Sequence, residues 1–182
     1  MQNATLPKSF SRSRKAFGVL VHNNRRLFDA LDLVNVDDSL ALGMSAEEYG
    51  RITVLSDWAS SFLCQSHEDL GRVGPVCPFA KSAIEHRLFL LGEIDLPFDR
   101  APEIAAEIQF FKEWFVSLQA SLSPERQACI VLSLPQCDPL SPDQVDALQS
   151  ELKDEFIAEQ LMIGQFHPLH TEPGLWSPDF RP

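Results

Sequence analysis

No stretch of this chain approaches the roughly 20 consecutive apolar residues of a membrane helix. The best run, residues 16–21, is followed at once by His22 and two asparagines. It is short and has no small-residue cleavage pattern, which argues against a secretory leader. Cysteine is sparse: four residues, at 64, 77, 129 and 137, with no CxxC pair. Cys129 lies inside an apolar run, as a reduced core thiol would. The reading is a reducing, cytoplasmic compartment without a disulfide framework. No GxGxxG follows a strand-like segment, and no P-loop, HExxH or GxSxG is present. Dinucleotide, nucleotide-triphosphate, zinc-protease and serine-hydrolase readings therefore lack their signatures. Positive charge is also in deficit, with 15 Lys and Arg against 26 Asp and Glu. A cationic face for phosphates is not supplied, so nucleic acid is excluded as the main partner.

What is there is ordinary in bulk and uneven in detail. The 182 residues suffice for one domain with a real core, and 45% of them are hydrophobic. The first 28 residues hold six basic side chains and no acid, so the remainder carries a net charge of −17. The basic start reads as a disordered N-terminus over 1–14, with an organelle transit peptide as the alternative. Residues 15–182 then form a single globular domain, helical over 15–67 and α/β over 70–182. No internal repeat is present.

The apolar pattern predicts the elements. Residues 15–33 are expected as a helix through Phe17, Leu20, Leu27, Ala30 and Leu31. A second helix over 45–67 opens on the capping box Ser45–Glu48, with Ile52, Leu55, Ala59 and Phe62 on its inner face. Pro78 fits the first turn of a helix ending near His86. Residues 88–94, 128–134 and 161–166 read as buried strands. They are separated by helices over 102–122 and from a Ser141 cap to 157. Strand, helix, strand, helix, strand predicts α/β or α+β: a small sheet of three or more strands, with amphipathic helices packed on it and two N-terminal helices. Crossovers of this length allow parallel neighbours, and a ferredoxin-like arrangement is the competitor.

Two segments carry the chemistry. In the first, Cys77 precedes Pro78 and a helix start. At an N-cap its thiolate would be stabilised by unpaired N–H groups, making it a nucleophile, a redox thiol or a soft metal ligand. Cys-Pro also recurs in haem-thiolate sites, where the proline turns the chain away from the iron. The plain reading is a buried small hydrophobe at a turn. In the second, His167 closes the last expected strand, where ligand crevices form in open α/β sheets. His170 follows three residues later, so the two can share a zinc ion, with Glu172 the nearest acid in sequence. The plain reading is a hydrogen-bonded His167 and a solvated His170. His67 and His86, near helix ends, are weaker iron-ligand candidates. Of the tryptophans, Trp114 reads as core and Trp176 as a pocket wall.

The blocks GRVGPVCPFAKSAIEH and LMIGQFHPLHTEPGLWSPDFRP resemble the two signature regions of a bacterial family, domain of unknown function 6875. The resemblance covers about residues 70–182 and implies identity without function. Members of that family are expected to continue past position 182, which would leave this chain short of a last element. The order of elements, with Cys77, Phe79, Ala80 and Ala83, is also similar to the YqcI/YcgG family. That likeness implies a haem-dependent oxygenase acting on arginine-like amino acids.

The leading expectation is therefore a small haem protein, an oxygenase on a small amino or guanidino substrate in specialised biosynthesis. Cys77 or His167 would be the axial ligand and catalytic residue. Phe79, Phe166 and Trp176 would complete the cofactor pocket. The acidic body would suit a cationic substrate. Two alternatives stand beside it: a haem-free thiol enzyme in which His167 activates Cys77, and a non-catalytic accessory domain that docks through residues 168–182. The sequence carries no signal for oligomeric state.

Overall fold

A computed structural model describes residues 19–33, 43–123, 126–138, 142–170, 173 and 177–180. Four strands form one sheet in the order β1-β2-β3-β4: β1 Val19–His22, β2 Arg25–Asp29, β3 Phe89–Glu93 and β4 Cys129–Ser133. The first two pairings are antiparallel, and β3–β4 is parallel with Leu91 opposite Val131. The helices are α1 Ala46–Trp58, α2 Ala80–Glu85, α3 Ala101–Gln119 and α4 Asp143–Ala158. No helix among the described residues is long and apolar enough to cross a membrane.

The central strands β2 and β3 are buried on both faces, and the strand period of two sorts their side chains. Phe28, Phe89 and Leu91 face a core shared with Tyr49 and Ile52 of α1 and Ala80 and Ala83 of α2. Their neighbours Leu27 and Leu90 face the opposite core with Ile104, Phe111 and Trp114 of α3 and Leu148, Leu152 and Phe156 of α4. Each fully buried Leu, Ile or Phe contributes on the order of 2 kcal/mol of transfer free energy. The architecture is thus a mixed α/β sheet with helices packed on it.

Two expected elements are corrected. Within 15–33, the described part from Val19 on is a β-hairpin rather than a helix, so the two-helix N-terminus is not what forms. Asn23 and Asn24, at φ 46° and 64°, make the two-residue turn that hairpin strands require. Leu27 and Phe28 are both buried because each face of the sheet has its own helical layer. Residues 161–166 form no strand. Their side chains nevertheless alternate, and the Gln149 side chain donates to the Ile163 carbonyl at 3.1 Å.

Other expectations hold with shifted ends. Ser45 caps α1, its hydroxyl accepting from the Glu48 N–H at 3.1 Å. The helix then widens into a turn over Ala59–Leu63, where the Cys64 N–H reaches the Ala59 carbonyl at 3.0 Å. The helix after Cys77 begins at Ala80, with Phe79 as its N-cap. Pro102 sits in the first turn of α3. The expected cap Ser141 and the N-terminal segment 1–14 lie outside the described residues.

Candidate functional site

Cys77 is fixed by backbone, not by a helix end. Ser66 and Pro75 pair as an isolated antiparallel bridge. The Val76 N–H then donates to the Gln65 carbonyl at 2.8 Å, and the Cys77 N–H to the Leu63 carbonyl at 2.9 Å. Cys77 therefore stands two residues ahead of the N-cap of α2, and that helix has only six residues. The N-cap placement expected from Pro78 is corrected: the proline ring leaves the chain in a turn for two further residues. Cys77 is half-buried and packs on the first core beside Cys64 and Cys129. Burial pushes the Cys64 thiol up and the Cys129 thiol up to about 12. Those two are neutral core thiols at neutral pH. Phe79, next to Cys77, is 49% exposed.

The second segment builds a tighter arrangement. Phe166 and His167 point to opposite sides. Phe166 meets the Trp58 ring edge-on at 5.0 Å, at the end of α1. His167 turns to α4, where its Nε2 lies 3.0 Å from Asp146 Oδ1. Its side chain is only 7% exposed. Pro168 occupies the second position of a turn closed by the His170 N–H on the His167 carbonyl at 3.2 Å, which brings the two rings to 5.3 Å. The Gln165 side chain donates to the same Asp146 oxygen at 3.1 Å. The hydrogen bond from His167 holds the Asp146 carboxyl below the usual carboxylate range. His167 Nδ1 is buried and has no hydrogen-bond partner.

Asp146, His167 and His170 each offer one ligand atom within 4.8 Å of the others. Two imidazoles and a carboxylate make a donor set for zinc or iron, and they leave coordination positions open. Asp146 was missed in sequence because it sits beside the apolar stripe of α4 and its partners are more than twenty residues away. Glu172, the acid expected nearest the pair, lies outside the described residues, as does Trp176.

No hydrogen bond or ring contact joins Cys77 to His167 among the described residues. Phe79 and Phe166, the two other expected pocket walls, are each about half-exposed. His67 accepts from the Asp69 N–H through Nδ1 and packs on Phe62 and Phe180. His86 Nδ1 lies 2.8 Å from the Ser82 carbonyl. Both are accounted for by local structure. Trp114 is core, as expected.

A separate cleft of ≈ 280 Å³ opens at the carboxyl end of β3, lined by Arg25, Arg26, Arg51, Glu48, Glu93 and Asp95, among others. Its arginines are already engaged with Glu107, Glu48 and Glu93. Arg25 and Arg26 lace the hairpin to α3 and α1, and Arg51 ties α1 to β3.

A family model described as Domain of unknown function (DUF6875) matches residues 52–182, a span containing both segments and Asp146. No curated protein and no solved structure matches the chain. The expected likeness to the YqcI/YcgG family is not shown by these comparisons.

Proposed function

The chain belongs to this family of unknown function, and we propose that it is an iron-dependent oxidoreductase, an oxygenase on a small amino or guanidino substrate, with His167 at the iron. One observation carries the reading. His167 is a buried imidazole oriented by a carboxylate on one nitrogen and left without a partner on the other. Carboxylate–histidine pairs of this kind orient metal-bound imidazoles and raise their basicity. Bound iron would supply the activation of dioxygen. Monooxygenation places one oxygen atom on the substrate. The other leaves as water, with two electrons and two protons from an external reductant. The net charge of −11 favours approach of a cationic substrate.

The resemblance in sequence suggests haem as the form of that iron. Cys77, only half-buried, with Phe79 half-exposed two residues on, is compatible with a haem-thiolate version. The thiol-enzyme alternative requires a Cys77–His167 contact, and no hydrogen bond joins the two among the described residues. In the segment of the docking-tail alternative, Phe180 is 5% exposed and packs on Phe62 and His67.

The test is an absorbance spectrum with iron analysis, on protein expressed with added iron and haem precursor. Stoichiometric iron lost in His167→Ala supports the reading, and a Soret band identifies it as haem. Protein that takes up neither haem nor ferrous iron sinks it. Rapid alkylation of Cys77 would then direct attention to the thiol.

A further inference from the structure

We propose that Asp146, His167 and His170 hold a single divalent first-row transition ion directly, without a porphyrin, as a two-histidine, one-carboxylate centre. The proposal deepens the iron reading and rests with it on His167 being a metal ligand.

The argument begins with spacing. Nitrogen and oxygen ligands bind such ions at about 2.1 Å, so two adjacent ligands at right angles stand about 3.0 Å apart. His167 Nε2 and Asp146 Oδ1 are 3.0 Å apart. The third ligand atom, from His170, falls within the same 4.8 Å cluster. Small rotations of half-buried side chains close the remaining distance. The His167-Pro168-Leu169-His170 turn gives the reason two histidines three apart face one point: the His170 N–H is bonded back to the His167 carbonyl.

The second observation is that the protein alone fully satisfies no protonation state of the buried His167 ring. With its proton on Nε2, His167 buries an Nδ1 lone pair that has no donor. With its proton on Nδ1, the Nε2 lone pair faces a carboxylate oxygen with nothing positive between them, and Nδ1–H lacks an acceptor. A doubly protonated ring again buries an N–H without an acceptor. An unmet buried polar atom costs on the order of 1–3 kcal/mol. A cation between Nε2 and Asp146 supplies the positive charge that the Nδ1–H tautomer lacks between the ring and the carboxylate.

A porphyrin fits this corner poorly. A planar macrocycle needs an open face at the ligating nitrogen, and here one ring nitrogen is covered by Asp146 and the other is enclosed. A bare ion needs only the space between three atoms. Imidazole and carboxylate together suit ferrous iron and zinc, and three protein ligands leave positions for water and substrate. Gln165, bonded to the Asp146 oxygen, is a positioning residue for the carboxylate.

The experiment is a titration of the full chain, purified with chelator, using Co(II) as the spectroscopic probe and then Zn(II) and anaerobic Fe(II). The expected result is one ion per chain, d–d bands in the visible and no thiolate-to-cobalt charge-transfer band. His170→Ala and Asp146→Asn should weaken uptake at least about 100-fold, because even outer partners of metal ligands are worth 10–100-fold. Both groups are partly exposed, so these variants keep the fold, checked by an unchanged far-UV spectrum. Uptake equal in wild type and both variants overturns the site. So does a thiolate band, or a Soret band that survives chelation. Zinc or cobalt uptake at this triad without any oxygen-dependent turnover of amino or guanidino compounds by the iron form keeps the site and removes the oxygenase.

Discussion

A Cβ added at Gly92 would stand 2.9 Å from Leu27 Cδ2 and 3.1 Å from Leu132 Cδ2. The central strand thus carries no side chain there because leucines from both neighbouring strands meet over it. Gly92→Ala should cost about 1–3 kcal/mol through forced repacking. It should lower the urea midpoint with an unchanged slope; an unmoved midpoint would show that the leucines yield freely. Cys129 gives the pH-dependent case at this scale. Its thiol is pushed up to about 12 by burial, whereas an unfolded thiol ionises near about 8.5. The folded chain keeps a proton that the unfolded chain releases. Its contribution is therefore full below about pH 8.5 and falls as pH rises toward 12, by at most about 1.4 kcal/mol per unit. Comparing urea unfolding at pH 7 and 10, Cys129→Ala should lose about 1–2 kcal/mol less than the parent. Parallel losses in both would mean that the folded thiol ionises normally.

At the scale of elements, the hairpin and the loop before His170 explain what sequence reading reaches and what it does not. Buried β3, half-buried β4, the long amphipathic helices and the Ser45 cap are all visible as period and punctuation. The hairpin was not, because both faces of β2 are covered and its apolar residues mimic a helical stripe. The Asn23-Asn24 pair was the available signal. Since both residues are left-handed, Asn24→Gly should be neutral to stabilising by a few tenths of a kcal/mol. Asn24→Ala should cost about 1 kcal/mol. A helical segment would show the opposite order in thermal unfolding, since alanine favours and glycine disfavours a helix. Residues 161–166 alternate like a strand without pairing as one. Leu161 and Ile163 pack on the second core and Met162 between them is exposed, while Gln149 takes up one of their carbonyls. His167 could be singled out from sequence as the end of an apolar run. Asp146 could not, because only the packing of α4 brings its first turn to that end.

For the whole molecule, the ion pairs Arg25–Glu107 and Arg26–Glu48 join the hairpin to α3 and α1, and Arg51–Glu93 joins α1 to β3. Glu107 hydrogen-bonds Arg25, which holds its carboxyl below the usual range. That stability is present above the unfolded glutamate value of about 4.3 and lost as pH falls through the lower folded value. The pair is partly exposed, so the contribution is about 0.2–1 kcal/mol. Glu107→Gln should flatten the acid limb of a stability–pH curve by that amount and leave pH 7–8 slopes alone; an unchanged acid limb would make the pair ornamental. The His167 corner belongs to the other end of the chain. His170 lies 24 residues beyond Asp146, and the intervening chain is α4 and its return. Closing a loop that short is entropically cheap, and the cost rises only with the logarithm of length. An ion at the corner would therefore act as a clip that pins the start of α4 to the strand-like segment leaving its end. Its removal would be felt first as local fraying of that excursion, in faster amide exchange over α4, while the sheet stayed closed.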